Sequence, residues 1–536
     1  MDPARRNILF IVLDQWRADA LGAAGNAQIR TPTLDRLAHE STIFLNHFGQ
    51  AAPCGPARAA LLTGLYPHNT HVLRNGSPLD RAIPTLGEAA RAMGYDPALF
   101  GYTDSTMDPR GRPAADPALF TYEDVMPGFT PELLLNEDAL PWLAYLKEAG
   151  YDFDSVEAAL RPATGHLNLQ APRAARFAAR HGRAAFLTDA VLRYLSVRRA
   201  AHWFAHVCYI APHPPFIAPA PFHALHDAAS MAPRHAAPDV ESEGRQHPFL
   251  AALLARQQRA RFVASPEGPV ATLTDAECAT LRAVYCGMVS EVDDALGRIF
   301  ARLEEWDLIE RTLVIVTGDH GEMLGDHRLL GKEGYFAEAV HVPLIIRVPG
   351  ARGGRRVTEF TEAVDVMPTI LDWLGAELPA RRDGHSLLGF CRGEPPAAWR
   401  QTVHWEGDFR DFDPDGLPSS LGLAPQECGF VVARSQRFQA VHFAALPPLL
   451  FDLARDPHCF ENVADRPEYT VAALAETRAM LSWRMATSSG PLSHLMATPR
   501  GLADLSVMAP AFASRVLPAQ FVALHDERSG QAGHGK

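Results

Sequence analysis

A cysteine in the stretch PCGPARAALLTG, residues 53–64, has neighbours that suit an anion site. Pro56 fits the first turn of a helix, where its missing N–H loses no hydrogen bond, and the alanines and leucines after it favour a helix. Cys54 would then lie at the helix N-terminus, with Arg58 one turn further along the same face. A tyrosine-phosphatase-like thiolate would need an arginine where Ala60 stands, so that mechanism is excluded.

Acidic residues follow two apolar runs that are far apart in the chain. NILFIVLDQ contains Asp14, and TLVIVTGDHGE contains Asp319 followed by His320. Each aspartate alone could equally be a helix cap or a turn residue. Together the three side chains offer two carboxylates and an imidazole, a set that suits one divalent cation. The Asp-His pair at residues 326 and 327 is interpreted as solvated turn residues.

Three apolar runs predict the strands that would position these groups. They cover residues 7–15, 202–213 and 312–322, and each ends in polar residues. Runs of this kind are typical of strands buried on both faces of an α/β sheet, whose ligands bind beyond the carboxyl ends of the strands. Apolar residues at three- and four-residue spacing predict a helix over 275–306. Residues 109–275 are predicted to form long insertions with short helices, within a catalytic domain of residues 1–396.

Near residue 397 the sequence pattern changes from long buried runs to short strand-like segments. CGFVVARSQRFQAVHF predicts a hairpin, PPLLFDLARDP a further strand, and EYTVAALAETRAMLSWRMA an amphipathic helix. We therefore expect a smaller subdomain over residues 397–489, with an antiparallel sheet and a covering helix. Residues 490–536 are predicted to form a tail that packs across a subunit boundary in a homo-oligomer.

Composition and charge argue against several classes of protein, namely nucleic-acid-binding, membrane-spanning and disulfide-rich proteins. The 536 residues carry a formal net charge of −12, which argues against nucleic acid as a partner. No apolar run approaches the roughly 18 residues that a membrane span needs, and the run over residues 8–13 is too short for a signal peptide. The seven cysteines are scattered without a CxxC pair, so a disulfide framework is not expected. We predict a cytoplasmic protein that binds neither membrane nor nucleic acid.

The pattern C-x-P-x-R-x-x-x-L-T-G of residues 54–64 resembles the signature of the type I sulfatases, within the alkaline phosphatase superfamily. Asp14, the pair Asp319-His320 and Lys332 agree with that family, and the resemblance extends to LLFDLARDP. It implies an α/β fold of the alkaline-phosphatase type, a sandwich with a large mixed sheet between helices. It also implies that a formylglycine-generating enzyme oxidises Cys54 to Cα-formylglycine.

Within the family, the chain is most similar to the phosphonate monoester hydrolase branch. Gln15 stands where many sulfatases have a second aspartate, and His320 where many have asparagine. The segments CGPARA, GYDPALFGYTD, PHPPF, EAVDVMPTILDWLG and VHFAALPP also resemble that branch, which hydrolyses phosphonate monoesters, phosphate diesters and aryl sulfates in one pocket. Asp104 departs from it, because a small hydroxyl residue is expected there.

The resemblance implies a role for each site residue. Cys54 would join Asp14, Asp319 and His320 in holding one divalent ion, Ca, Mn or Mg. Arg58 would hold the nucleophile and Lys332 the non-bridging oxygens, while His213 would protonate the leaving group unless it is a packing residue. Candidate substrate-positioning residues, each with a structural alternative, are Gln15, Asn75, Tyr102 and Asp104. His68 and His71 are interpreted as loop or core residues.

Three functions follow as hypotheses. Sulfate ester hydrolysis, with promiscuous phosphonate monoester and phosphate diester hydrolysis, comes first because the signature is general to sulfatases. The alternative is a primary phosphonate monoester hydrolase or phosphodiesterase. A different class would be a non-catalytic metal- or anion-binding member of the family with an unconverted Cys54. A homodimer or homotetramer is expected in each case.

Overall fold

The three apolar runs form neighbouring strands at the centre of one mixed sheet. The computed structural model describes residues 6–163, 169–263, 267–379, 381–411, 413–490, 493, 495–498 and 501–504. The strands of the large sheet are β1 (Asn7–Leu13), β2 (Thr42–Phe48), β3 (Pro97–Gly101), β4 (Thr130–Leu134), β5 (Phe204–Tyr209), β6 (Thr312–Gly318), β7 (Leu344–Arg347) and β8 (Arg355–Glu362). Their order is β4-β3-β5-β1-β6-β7-β2-β8, and β7 runs antiparallel to both of its neighbours.

Helices cover both faces of this sheet and the second sheet beyond it. They are α1 (Pro32–His39), α2 (Cys54–Thr63), α3 (Pro67–Thr70), α4 (Leu86–Ala92), α5 (Leu140–Glu148), α6 (Val156–Ala159), α7 (Arg183–Val197), α8 (Val240–Gly244), α9 (Pro248–Arg256), α10 (Asp275–Glu305), α11 (Val366–Leu374), α12 (Leu388–Arg392), α13 (Leu417–Ser420) and α14 (Thr470–Thr487). Among the described residues, none of the helices is long and apolar enough to cross a bilayer.

Strand β1 shows how the sheet separates two apolar layers. Its seven residues are all buried, and successive side chains point to opposite faces. Leu9 and Ile11 pack in the layer that contains α10 and α7, whereas Ile8 and Phe10 pack in the layer that contains α2 and α11. The continuous apolar run is therefore explained by burial on both sides, and the predicted fold class is confirmed.

The long helix α10 begins where the sequence predicts. The Thr274 side chain accepts a hydrogen bond from the Glu277 N–H, and the Glu277 carboxylate accepts one from the Thr274 N–H, so both form a capping box. The helix leads into β6, which carries Asp319 at its end. The segment 109–275 supplies two strands to the large sheet: β5, which the apolar run over residues 202–213 predicts, and β4, which the sequence analysis did not predict.

A second, antiparallel sheet follows in the chain, as predicted. Its strands, in the order β12-β11-β10-β9, are β9 (Thr402–Asp408), β10 (Gly429–Ser435), β11 (Phe438–Phe443) and β12 (Leu449–Asp452). Met480 of α14 packs against Ala440 and Leu450, so this helix covers one face of the sheet. Strands β13 (Leu495–Thr498) and β14 (Gly501–Asp504) pair with each other. Most of the predicted tail, residues 490–536, lies outside the described residues.

Candidate active site

Two neighbouring parallel strands bring the predicted metal ligands together. Asp14 follows β1 and Asp319 follows β6, so both carboxylates lie at the same edge of the sheet. Together with Cys54 and His320 they form a buried group whose ligand atoms all lie within 4.8 Å of one another. The structure thus brings these four side chains together, and their role as metal ligands stays a prediction.

Helix α2 carries Cys54 at its first position and Arg58 one turn later. All ten residues of this helix are buried, and it ends at Gly64, whose positive φ of 67° is favourable for glycine. Cys54 Sγ lies 3.2 Å from Nε2 of His320 and 3.1 Å from Nζ of Lys332. Burial, reinforced by the Asp14 carboxylate, raises the pKa of the Cys54 thiol well above its usual value. The unmodified thiol is thus protonated and a weak nucleophile.

The donor set fits a divalent cation. Oδ1 of Asp14 is buried and has no hydrogen-bond partner among the described residues, which leaves an oxygen free for an ion. His320 Nδ1 lies 3.1 Å from the Gly321 carbonyl and donates to it, so Nε2 keeps its lone pair and faces the two carboxylates at 3.8 Å. Burial lowers the pKa of His320 to about 4 and keeps the ring neutral, as a metal ligand must be.

Arg58 ties both carboxylates of the site to the helix. Its Nη2 donates to Asp14 Oδ2 at 2.7 Å and its Nε to Asp319 Oδ2 at 2.9 Å. Although burial alone would raise it, His320 and Arg58 lower the pKa of Asp319 below its usual value. The Tyr102 ring lies under the Arg58 guanidinium at 4.1 Å, and its hydroxyl donates to Asp14 Oδ2 at 2.5 Å.

Asp104 is a further buried carboxylate beside this arginine. Its Oδ2 lies 3.7 Å from Arg58 Nε, beyond hydrogen-bond distance, and its φ of 47° is unusual for a residue other than glycine. Burial raises the pKa of Asp104 to about 7 despite the nearby Arg58 charge. Strained backbone of this kind is typical of functional sites.

A glutamate that the sequence analysis did not single out supports the opposite side of the site. Glu322 is fully buried, accepts a hydrogen bond from the Gln15 amide, and accepts another from the Gly331 N–H at 2.6 Å. Gln15 Oε1 in turn accepts a hydrogen bond from Lys332 Nζ at 3.2 Å. Although burial opposes the charge, Cys54 and Asp14 raise the pKa of Lys332 above its usual value. In the sequence, the only indication of this role was that Glu322 closes the polar segment GDHGE after the strand.

His213 and Asn75 lie at the entrance rather than among the buried charges. Both line the cavity next to Lys332, and Asn75 Oδ1 accepts a hydrogen bond from the Gly55 N–H at 2.8 Å. His213 Nδ1 lies 2.8 Å from the Pro214 carbonyl. Burial, followed by the Lys332 charge, lowers the pKa of His213 to about 3, so the ring is neutral in the free protein.

The interpretation of Asp326 and His327 as solvated turn residues is wrong. Both are fully buried. Asp326 binds Arg17 at 2.8 Å and Arg282 at 2.6 Å, and His327 Nδ1 lies 2.8 Å from Glu243. The burial of Asp326 is compensated by its ion pairs with Arg17 and Arg282, which the sequence does not reveal because both arginines are distant from it in the chain.

Histidines 68 and 71 lie on either side of the end of α3. His68 is buried and its Nδ1 lies 2.6 Å from Glu406 of β9, so it links α3 to the second sheet. His71 is exposed and takes the left-handed conformation that ends the helix. Neither residue belongs to the site, in agreement with their interpretation as loop or core residues.

Comparison with known proteins identifies the family. The sulfatase family model matches residues 6–376, and the model described as N-sulphoglucosamine sulphohydrolase, C-terminal, matches residues 325–485. The multifunctional alkaline phosphatase superfamily protein PehA of Trinickia caryophylli is 41% identical over 93% of this chain and 99% of its own length. The crystal structure of the phosphonate monoester hydrolase of Agrobacterium radiobacter has a TM-score of 0.90 and 41% identity, covering 93% of this chain and 99% of that one.

A second solved structure gives the same result. The phosphonate monoester hydrolase SpPMH from Silicibacter pomeroyi has a TM-score of 0.88 and 39% identity, covering 93% of this chain and 99% of that one. A mixed sheet between helices, with buried aspartates and a helix-bound cysteine at its carboxyl edge, defines a hydrolase of the alkaline phosphatase superfamily. Within that superfamily the chain belongs to the sulfatase family.

Proposed function

We propose that the chain is a metal- and formylglycine-dependent hydrolase of singly charged esters, acting on aryl sulfates and also on phosphonate monoesters and phosphate diesters. The observation that supports this most is the position of Cys54, whose Sγ lies 3.1 Å from Lys332 Nζ and 3.2 Å from His320 Nε2. A nucleophile at this position has a cation for the substrate oxygens on one side and metal-ligating groups on the other.

Two absent groups would complete the site. Asp14, Cys54, Asp319 and His320 would hold one divalent ion, which when bound polarises a substrate oxygen and lowers the pKa of a neighbouring hydroxyl. Formylglycine at position 54 would be formed by a formylglycine-generating enzyme, and its hydrate supplies two hydroxyl groups, of which one attacks and the other expels the product. The protonated thiol of the unmodified chain offers neither function.

The remaining side chains bind and orient. Arg58 is fixed by two carboxylates and the Tyr102 ring, so it can hold the nucleophile without moving. Lys332 is held by Gln15 and would neutralise the non-bridging oxygens as charge develops. Asn75 keeps the first turn of α2 in place through Gly55.

His213 is proposed as the proton donor to the leaving group. Its ring lines the cavity beside Lys332 and is neutral in the free protein. A bound anion would raise its pKa, because an opposite charge favours the imidazolium, and the proton at Nε2 would then face the leaving oxygen.

The alternative, that phosphonate monoesters are the preferred substrates, has its own support. The two solved structures described above are both phosphonate monoester hydrolases of about 40% identity over nearly the whole chain. A side-by-side measurement of kcat/KM on 4-nitrophenyl sulfate and 4-nitrophenyl phenylphosphonate decides between the two. Hydrolysis of neither ester by metal-loaded, converted protein would overturn the proposal.

Conversion of Cys54 is tested separately from activity. The peptide that contains residue 54 should be lighter by about 18 Da than the thiol form when the chain is produced with a formylglycine-generating enzyme. A chain that keeps the thiol under these conditions would support the non-catalytic alternative.

We further propose a homodimer or homotetramer, with residues 490–536 crossing a subunit boundary. Helix α14 supports this assembly because it exposes apolar side chains on one side, namely Val471, Leu474, Leu481 and Met485. Light scattering that finds a stable monomer at micromolar concentration would contradict it. The cytoplasmic location also stays a prediction.

A further inference from the structure

A cavity of about 500 Å³ extends outward from the site and is larger than the reacting groups require. Lys332, His213 and Asn75 line it on the side of Cys54. The opposite side is built by helix α9 and by strands β9 and β10 of the second sheet. The space therefore lies where the alcohol part of a bound ester would project.

One part of the wall of this cavity is aromatic, whereas charged and polar side chains line the rest. Phe249 of α9 packs against Phe409 with ring centroids 4.8 Å apart and against Phe430 at 5.8 Å. Leu253 and Trp405 extend the same apolar surface. Ring edges and faces of this kind favour an aromatic group over a polar one.

A cation lies on the same side of α9 as this apolar wall. Phe249, Leu253 and Arg256 are spaced by four and three residues, which places them on one face of the helix, and all three line the cavity. The Arg256 side chain is exposed, and no carboxylate of the described residues lies within ion-pair distance of its guanidinium. Its charge is thus available to a ligand in the cavity.

Four acidic side chains line the cavity, and two of them, Glu406 and Asp408, have close counterions of their own. Glu406 is bound by Arg484 at 2.5 Å, and Asp408 is bound by Arg410 at 2.7 Å. Both carboxylates lie on β9 and already have their counterions. Their presence in the wall therefore leaves the positive charge of Arg256 unmatched.

Two further arginines of the cavity have only loose partners. Arg74 lies 3.9 Å from Asp411, and Arg261 lies 3.9 Å from Glu333. These distances exceed a hydrogen bond, and exposed pairs of this kind are weak. Their partners Asp411 and Glu333 line the cavity as well, but neither carboxylate lies within ion-pair distance of Arg256.

We infer that the leaving group of the preferred substrate is an aromatic alcohol that carries an anionic substituent. Its ring lies against Phe249 and Phe409, and its anionic group, such as a carboxylate, pairs with Arg256. This inference rests on the proposed function, since it requires that the ester is cleaved at residue 54. It adds a substrate class, because it distinguishes acidic aryl esters from neutral ones.

The test compares two esters that differ only in this charge. The alcohol parts are 4-hydroxybenzoate and its neutral amide, 4-hydroxybenzamide, each offered as the phenylphosphonate and as the sulfate ester. The measured quantity is the ratio of kcat/KM for the carboxylate ester to that for the amide ester, at low ionic strength. Because the same ratio is compared between variants, the different leaving abilities of the two alcohols cancel.

The expected results follow from the charge of residue 256. Arg256→Gln should lower the ratio about three- to fivefold, as loss of an exposed ion pair would, and Arg256→Glu should lower it further. Both effects should shrink at high salt. Arg245→Gln removes the same charge from an exposed residue outside the cavity and should leave the ratio unchanged.

A ratio that is the same in wild type and Arg256→Glu would overturn the inference while leaving the proposed function intact. Failure of the wild-type, converted protein to hydrolyse any of these four esters, when it does hydrolyse a 4-nitrophenyl ester, would overturn the inference alone. Failure on the 4-nitrophenyl esters as well would overturn the proposed function, and this inference with it.

Discussion

Arg58 Nη2 donates a 2.7 Å hydrogen bond to Oδ2 of Asp14, while the other oxygen of that carboxylate is buried and unpaired among the described residues. The arginine thus fixes the Asp14 carboxylate in one orientation. The other carboxylate oxygen, Oδ1, is left free to bind a metal ion. Asp319 is held by the same guanidinium at 2.9 Å. This shared contact explains why helix α2 and the two carboxylates of the proposed metal site form one unit.

The first prediction concerns this unit. Asp14→Asn and Asp319→Asn should each lose the bound metal and at least about 100-fold in turnover, because each removes an anionic ligand from the set. Metal analysis and kcat on a converted preparation measure both effects. Asp293→Asn is the control, since that buried carboxylate caps α1 by accepting from the N–H groups of Thr33 and Leu34. Full metal content with normal turnover in both site variants would contradict the assignment.

Cys54→Ser tests the nucleophile. The serine is nearly the size of the cysteine, so the fold and the bound metal should be retained in a host that converts cysteine but not serine. One hydroxyl can attack but cannot expel the product, so at most one equivalent of alcohol should be released, leaving a covalent adduct. Rapid-quench kinetics measure the equivalents of alcohol released, and intact-protein mass spectrometry detects the covalent adduct.

The control for this variant is Cys428→Ser, because its thiol donates to the Ala424 carbonyl and a hydroxyl can keep that bond. It should turn over normally. Many turnovers at a near wild-type rate by unmodified Cys54→Ser would show that formylglycine is not required.

A third prediction concerns the charge preference of the pocket. The buried Asp104 carboxylate, 3.7 Å from Arg58, disfavours a second negative charge on the substrate at pH 8. Asp104→Asn should therefore increase kcat/KM for dianionic 4-nitrophenyl phosphate, relative to monoanionic 4-nitrophenyl phenylphosphonate, by roughly three- to tenfold. An unchanged ratio between the two substrates would show that Asp104 does not face the bound anion.

Stability should depend on pH through Glu291 of α10. Burial raises the pKa of Glu291 to about 8, although Arg183 is nearby. Between its ordinary pKa and this value, the folded chain holds a proton that the unfolded chain has lost, so the free energy of unfolding falls as pH rises. Glu291→Gln removes this dependence and should raise the melting temperature by a few degrees at pH 8.5, with little change near pH 4.5.

Exposed Glu148 provides the comparison for that experiment. Glu148→Gln should not alter the melting temperature in a pH-dependent way. Equal effects of the two substitutions at both pH values would contradict the protonated state of the half-buried Glu291.

Much of the site was predictable because its residues are fixed by short patterns. The runs of β1 and β6 indicate buried parallel strands, and adjacent parallel strands must place Asp14 and Asp319 at the same edge. The helix formers after Cys54 set Arg58 one turn from the proposed nucleophile. The large sheet, the helix over residues 275–305 and the antiparallel sheet near the end of the chain follow from the same periodicities.

Other properties depended on contacts between distant parts of the chain. The ion pairs that bury Asp326 come from Arg17 and Arg282, and the strained position of Asp104 beside Arg58 depends on how the chain turns after β3. The outer cavity joins α9 to β9, elements about 150 residues apart in sequence. The periodicity of a sequence determines which face of a helix or strand is apolar. Which elements come into contact, and which charged side chains are buried and desolvated, is decided only by tertiary packing.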